Sequence, residues 1–287
     1  MNRQNQISLI LGAWCIALLA ILGCENVISP LTDDAENVFA IHGFLDMAAD
    51  TQFVRVSALR SAVLAEKPGL ENVHVQSVDE STMEVAAWSD LVIELQDGTE
   101  GVLYYSLFKP VSDRTYELQI LKDGILVATA RTTLPKNPPY FAGVPTGDTL
   151  QFIQTIVVEG IAGRPFEIAV QYEVSRPDET PTETVLIEYD QDGSNTLGGW
   201  QFDVYLKRDQ FSVLREVDWP LFGPQLELRR VSAFISLKSA EWVNAKSPNN
   251  FENAHGFFGS VGRFELPWIL PPDAVGTLGF IDKQDPL

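Results

Sequence analysis

The sequence has very few cysteines. Only two occur among 287 residues, at positions 15 and 24. Both lie within or beside an apolar N-terminal segment, so the remainder of the chain can form no disulfide and no cysteine-based metal site. A chain of this length buries a large fraction of its surface when it folds. We therefore expect a hydrophobic core, rather than cross-links, to stabilise the fold.

Catalytic motifs are also missing. The only histidines are His42, His74 and His255, and they do not have the spacing of a metal-binding motif. No phosphate-binding glycine loop is present. Gly259-Ser260-Val261-Gly262 differs by one position from the G-x-S-x-G motif of hydrolases, and we interpret it as a glycine-rich turn. The sequence thus predicts no catalytic residue, no cofactor and no enzyme activity.

Basic residues are scarce. Lys and Arg total 20 against 39 Asp and Glu, which gives a formal net charge of −19. Nucleic acids and anionic lipid headgroups are bound through clusters of Lys and Arg. The composition therefore argues against a nucleic-acid partner and against electrostatic attachment to a membrane.

The N-terminus has the pattern of an export signal. A short polar segment with Arg3 precedes an apolar run from Ile7 to Gly23. This is the order of a signal peptide, and the run is short for a bilayer span, which needs about 20 apolar residues. Ile21-Leu22-Gly23-Cys24 resembles the lipobox of bacterial lipoproteins, in which cleavage precedes a cysteine that is then lipidated. We expect a signal peptide over 1–23 and acyl chains, including palmitate, on Cys24.

The apolar run has an alternative interpretation, since it could be an uncleaved transmembrane anchor. If it is cleaved, the mature chain keeps 19 basic and 39 acidic residues, so lipid rather than charge must provide the attachment. Residues 24–36 then form a short polar tether. Its acidic residues Asp33, Asp34 and Glu36 resemble surface-export signals, so the side of the outer membrane stays open.

The first half of the mature chain has the period of β-strands. Tyr116, Leu118 and Ile120 alternate with polar residues, which places one face of a strand on a core. Asp97-Gly98 and Asp123-Gly124 lie between strand-like runs, as in tight hairpins. We predict an immunoglobulin-like β-sandwich over 37–135. Residues 61–89 fit this pattern poorly, and we interpret them as a functional loop or a mobile insertion.

A proline-rich segment then interrupts the strand pattern. Residues 135–148 contain four prolines and two glycines, so we place a linker over 136–148 and a second β-rich domain over 149–287. Short helices are predicted over 208–217 and 238–246. The clearest strand of the second domain is apolar at every second position, namely Phe166, Ile168, Val170, Tyr172 and Val174. The fold class is therefore all-β, with two sandwich-like domains.

Two weaker patterns suggest binding sites. Asp190, Asp192 and Asn195 resemble half of a calcium loop, but Gln201 replaces its closing glutamate and a hairpin explains the same residues. Aromatic residues concentrate in the second domain, and exposed ones can stack on sugars or anchor a protein interface. The alternative is that they fill the core. The candidate ligand-binding residues are Trp200, Trp242, Trp268 and Phe258.

Several segments together resemble one lipoprotein family. VFAIHGFLD, FVRVSAL, DLVIELQDG, RTYELQILKDG and TARTTLP follow the lipobox in order, and SAEWVNAKSPNNFENAHGFFGSVGRF comes late. They resemble Bacteroidota-type outer-membrane lipoproteins of a domain-of-unknown-function family, often encoded beside TonB-dependent receptors. The matching positions in the late segment are Pro248, Asn249, Asn253, Gly256, Phe258 and Gly259. His255 departs from the pattern, because another glycine is expected there.

The resemblance implies a role but no active site. It suggests an accessory or binding protein, anchored by lipid in the outer membrane, that assists a TonB-dependent receptor in capturing a nutrient. Two other hypotheses remain open. The chain could be an envelope hydrolase that uses acidic residues, which predicts a cleft with paired carboxylates, or a structural or adhesive surface lipoprotein.

Overall fold

A computed structural model describes residues 39–58, 70–94, 100–147, 151–161, 163–177, 179, 181–189, 193–243 and 250–286. All of them belong to one compact unit. The expectations for the signal peptide, Cys24 and the tether concern residues 1–38 and lie outside the described part. Within the described ranges, no helix is both long and apolar enough to cross a membrane.

The first half of the described chain forms a β-sandwich around its own core, and we call it the first sandwich. Its strands are β1 (Phe39–Asp46), β2 (Gln52–Ala58), β3 (Val73–Asp79), β4 (Val85–Glu94), β5 (Glu100–Ser106), β6 (Thr115–Lys122) and β7 (Ile125–Thr133). β4 joins its two layers, because its first residues pair with β3 and its last residues pair with β5. The β6–β7 hairpin turns at Asp123-Gly124, where both residues have positive φ, as predicted.

The second half forms another layered β-structure, the second sandwich. Its helices are α1 (Leu206–Glu216), α2 (Ala240–Val243) and α3 (Pro272–Thr277). α1 confirms the helix predicted over 208–217, whereas α2 confirms only part of the one predicted over 238–246, because Lys238 is the last residue of a strand. The strands are β8 (Tyr140–Ala142), β9 (Thr146–Gly147), β10 (Phe152–Glu159), β11 (Glu167–Ser175), β12 (Thr182–Tyr189), β13 (Gly193–Thr196), β14 (Gly199–Tyr205), β15 (Glu227–Lys238), β17 (Ala254–Trp268) and β18 (Ile281–Asp282). Between β15 and β17 in the chain, the short β16 (Phe251–Glu252) pairs with β7 and belongs to the first sandwich.

One long strand belongs to both sandwiches. β17 pairs in parallel with β1 from Ala254 to Val261, and it pairs antiparallel with β15 from Val261 to Trp268. Among the described strands, thirteen therefore form one hydrogen-bonded sheet, in the order β12-β11-β15-β17-β1-β2-β5-β4-β3-β6-β7-β16 with β18 beside β15. We call it the large sheet. A smaller ladder, β13-β14-β10-β8 with β9 beside β10, covers the second core.

The strand periods predicted from the sequence match the two cores. Tyr116, Leu118 and Ile120 of β6 lie in the first core. The inward residues of β11 lie in the second, together with Phe202 and Val204 of β14. The prediction of an all-β, sandwich-like fold is therefore confirmed. The division at 136–148 stays a prediction; within that segment, β8 and β9 both pair with β10.

The interpretation of residues 61–89 as a loop or insertion is wrong for the described residues 70–89. β3 lies between β4 and β6, so it is an internal strand of its layer. Its alternation is hidden because Ser77 takes an inward position, where its hydroxyl accepts a 3.0 Å hydrogen bond from the Trp88 indole nitrogen. A buried serine with a partner substitutes for an apolar residue at this position.

The interpretation of Gly259-Ser260-Val261-Gly262 as a turn is also wrong, because these residues lie inside β17. A side chain at Gly259 would place its Cβ 2.7 Å from the Phe257 ring and 2.8 Å from the Trp242 indole nitrogen. Glycine in a strand often marks such a close approach. Gly256 is required for its conformation, since its φ of +122° disfavours any other residue.

Candidate functional site

The outer face of the large sheet carries a line of aromatic side chains. Trp242 contacts Phe44, with ring centroids 5.7 Å apart, and contacts Phe257 at 4.5 Å. Phe53 contacts Tyr105 at 6.5 Å. We call these five residues the aromatic row.

The strand register makes the row continuous. Phe44 of β1 lies directly opposite Phe53 of β2, and Phe53 lies opposite Tyr105 of β5. Opposite residues of antiparallel strands project from the same face. Phe44 is 43% exposed and Phe53 is 48% exposed, although the other side of both strands is buried. The row is therefore a solvent-facing surface built on a rigid sheet.

Hydrogen bonds hold Trp242 in place. Its indole nitrogen donates to the Ser260 carbonyl at 3.1 Å, and the Ser260 amide donates to the Ser239 hydroxyl at 2.9 Å. The neighbouring Glu241 carboxylate accepts a 3.2 Å hydrogen bond from Thr132 of β7. The short α2 helix is thus anchored on both sides, so the Trp242 ring has one position above Gly259.

Two cations flank the row. Lys238 Nζ lies 4.8 Å from the Trp242 ring centroid and 4.7 Å from that of Phe166. Arg55 follows Phe53 by two residues in β2, so it shares the outward face, and it lies opposite His42. Within the described part of the chain, no carboxylate lies within ion-pair distance of Arg55 or Lys238.

A cleft of about 540 Å³ lies at the edge of the same surface. Phe166, which contacts Lys238, is one of its walls. Its charged lining residues are Arg164, Arg263, Glu167 and Glu188. Glu167 accepts a 2.9 Å hydrogen bond from the Ser236 hydroxyl. The cleft contains carboxylates, as the hydrolase hypothesis requires, but guanidinium groups line it as well.

A buried carboxylate lies behind the wall of this cleft. Tyr189, a lining residue, donates a hydrogen bond to Asp209 Oδ2 at 2.5 Å, and Tyr172 donates to the same oxygen at 2.8 Å. Burial raises the pKa of Asp209, although hydrogen bonds from both tyrosines and the Arg208 charge act in the opposite direction. Burial and the adjacent Asp209 carboxylate raise the pKa of Tyr189 as well. This cluster fixes the cleft wall.

The predicted ligand-binding residues lie in different environments. Trp200 and Trp268 are 6% and 5% exposed and belong to the second core, while Phe258 is 1% exposed and belongs to the first. The Trp268 indole nitrogen donates to Gln154 Oε1 at 2.9 Å. These three side chains fill cores, as in the alternative interpretation. Of the predicted set, Trp242 alone lies in the aromatic row.

The other predicted sites fall partly outside the description. Cys24, Asp190 and Asp192 are not among the described residues. Asn195 lies exposed in β13, opposite Trp200 of β14. In the described ranges, no group of three or more His, Cys, Asp or Glu is arranged to hold a metal ion.

Phe44, Phe53 and Tyr105 were not among the predicted site residues, because they are dispersed along the chain rather than clustered in sequence. A different signal was present. In β2, Val54 and Val56 face the core, so Phe53 shares its phase with Arg55. An aromatic residue in the polar phase of an alternating strand predicts an exposed ring.

Comparison with known proteins gives little further information. No family model matches the chain, and no curated protein does. A solved cytokine receptor complex is 12% identical, with 79% of this chain and 94% of that chain covered and a TM-score of 0.22. Bovine butyrophilin is 11% identical, with 80% and 99% covered and a TM-score of 0.23. Likeness at this level carries no conclusion about what this chain binds.

Proposed function

We propose that this protein is a binding protein of the cell envelope, held in the outer membrane by lipid on Cys24. In this role it assists a TonB-dependent outer-membrane receptor in capturing a nutrient. The aromatic row is the observation that supports the proposal most. Contiguous exposed aromatic surface is uncommon on proteins that bind nothing, and it typically marks an interaction site.

The construction of the row supports binding rather than chance exposure. Its rings stand on paired strands, and the tryptophan at one end is held by a hydrogen bond from its indole nitrogen to the backbone of β17. Side chains that are already ordered lose little conformational entropy when a ligand binds. The row therefore has the properties of a preformed contact surface.

A single experiment tests the anchor and the partner together. Cells that express a tagged protein are labelled with palmitate, and membranes are then solubilised in mild detergent. We expect the wild-type protein to carry the label and to co-purify with an outer-membrane receptor. Cys24→Ser should lose the label, remain a longer precursor and lose the partner, because the thiol that accepts lipid is absent.

Cys15→Ser is the matched control, since Cys15 lies in the predicted signal peptide and is removed with it. This variant should retain both the label and the partner. If the wild-type protein takes up no palmitate while another lipoprotein of the same cells does, the anchor is wrong. If repeated purifications yield this chain alone, the receptor role is wrong.

A further inference from the structure

The aromatic row has the dimensions of a site for an extended, flat ligand. Neighbouring strands lie about 4.8 Å apart, so a row that crosses from β17 through β1 and β2 to β5 extends over about 15 Å. The half-exposed rings of Phe44 and Phe53 occupy its centre. A linear oligosaccharide has this form, because each pyranose ring presents a flat face of C–H groups that can lie on an aromatic ring.

Charge around the row indicates which class of oligosaccharide fits. The chain as a whole carries a formal net charge of −19. Several cations elsewhere are paired with carboxylates, for example Arg114 with Asp79 at 2.7 Å and Arg230 with Glu265 at 2.6 Å. Arg55 and Lys238 flank the row without such a partner among the described residues. They are thus available to an anion on the ligand.

The cations beside the row, rather than the net charge of the chain, select the occupant, because a net charge of −19 repels a second copy and an anionic ligand alike. A symmetric contact between two copies would bring the row, with Arg55 and Lys238, against itself and place like charges together. An anionic ligand that lies along the row meets Arg55 on one side and Lys238 at the Trp242 end. Arginine binds carboxylates with two parallel hydrogen bonds, which adds geometric selectivity.

We propose that the aromatic row binds a polysaccharide that contains uronic acids. Its rings stack on the pyranose faces, and Arg55 and Lys238 pair with the carboxylates. This inference rests on the proposed binding function and names its ligand class. The charged cleft beside Phe166 and Arg263 continues the surface beyond the row.

Affinity electrophoresis of the mature protein tests the proposal with three probes: polygalacturonate, alginate and hyaluronate. Fully methyl-esterified polygalacturonate is the neutral match of the first probe. We expect at least one of the three acidic polysaccharides to retard the protein. If polygalacturonate is the one that binds, its methyl ester should retard the protein far less. Phe53→Ala and Phe44→Ala should each weaken binding about tenfold or more, as for the central contacts of an interface.

Matched variants separate the ring contribution from the charge contribution. Phe222→Ala removes a ring that is 92% exposed outside the row, and it should bind like the wild type. Arg55→Gln should weaken binding of the acid that the wild type binds best and leave binding of the neutral ester unchanged. Thermal unfolding of each variant verifies that it is folded, and Phe44 and Phe53 are sufficiently exposed for both substitutions to be tolerated.

The outcomes distinguish this inference from the receptor role. Failure of all three acids to bind overturns the glycan proposal, as does an Arg55→Gln variant that binds the acid as tightly as the wild type. If Phe44→Ala and Phe53→Ala instead abolish co-purification with the receptor, the row is a protein interface, and only the glycan inference falls. Binding of an acid that depends on Phe53 and Arg55 supports the proposal, whether or not a receptor co-purifies.

Discussion

Among the described residues, each sandwich buries one aspartate, and the two are stabilised in opposite ways. Asp209 of α1 is fully buried, and its nearest partners are the hydroxyls of Tyr172 and Tyr189. Asp79 ends β3 in the first sandwich, where it is 4% exposed. Its partners are the Ser81 amide and hydroxyl, the Thr82 amide and the Arg114 guanidinium. One carboxylate is enclosed by the second core, and the other closes a turn.

The pKa values follow from these surroundings. Burial raises the pKa of Asp209, because the tyrosine hydroxyls and Arg208 only partly offset the loss of water. Burial alone would also raise the pKa of Asp79. Hydrogen bonds from Ser81, Arg114 and Thr82 outweigh it and hold that pKa well below its usual range. Two aspartates with similarly little exposed area can therefore shift in opposite directions, since the depth of burial and the number and charge of the donors together decide the direction.

The largest effect is expected when Asp209 is truncated. Asp209→Ala leaves the buried hydroxyls of Tyr172 and Tyr189 without their acceptor, so the free energy of unfolding should fall by about 3–5 kcal/mol. Asp209→Asn is the matched control, because its amide oxygen can still accept from both tyrosines. We expect it to cost less than half as much in urea denaturation. Equal losses would show that the negative charge, rather than the acceptor, stabilises this cluster.

The sequence could not have revealed Asp209 as a core residue. It lies in the polar run Lys207-Arg208-Asp209-Gln210, and its partners come from β11 and β12, which are distant in sequence. Tyr172 was predicted to face the core from its strand period, and it does. The period shows which face is buried but not which polar group meets it, because that depends on how α1 lies across the sheet.

The candidate site was predictable to a similar extent. The all-β fold followed from alternation, and the exposed phase of Phe53 could have been read from β2. The sequence could not show that Phe44, Phe53 and Tyr105 are neighbours, because they meet only through the register of three strands. Trp242 reaches the row because α2 follows β15 and packs on β17, a contact that no local pattern encodes.

A smaller, pH-dependent effect is expected at Asp79. Its lowered pKa means that the folded state favours the carboxylate, so its contribution is present above the unfolded pKa of about 3.9 and is lost as the pH falls below it. Asp79→Asn should therefore be less stable than the wild type by about 1–2 kcal/mol at pH 7, because the exposed turn lets water replace part of what is lost. The difference should shrink as the pH falls toward 3.

Asp209→Asn should show the opposite pH dependence of stability from Asp79→Asn when both are measured over the same pH range. The raised pKa of Asp209 means that the folded state favours the protonated form. Its contribution is therefore complete below the unfolded pKa and declines as the pH rises toward the folded pKa. Relative to the wild type, Asp209→Asn should gain stability as the pH rises from 3, whereas Asp79→Asn should lose it. Parallel pH profiles would contradict the assignment of opposite shifts.

The smallest effect is expected at Arg208, the cation of the Asp209 cluster. Its side chain is 54% exposed, and its nitrogens lie 3.3 Å from Asp209 Oδ1. Water can therefore replace much of this interaction, and Arg208→Met should lower the free energy of unfolding by less than about 1 kcal/mol. Methionine keeps apolar contact with the Tyr189 ring, over which the guanidinium lies at 4.5 Å.

Arg114→Met is the matched change at Asp79, where the cation is 34% exposed and its nitrogen lies 2.7 Å from the carboxylate. It should cost more than Arg208→Met in urea denaturation, because Arg114 helps to keep Asp79 ionised whereas the tyrosine hydroxyls provide most of the support for Asp209. The reverse order would mean that Arg208, despite its exposure, is the main partner of the buried carboxylate.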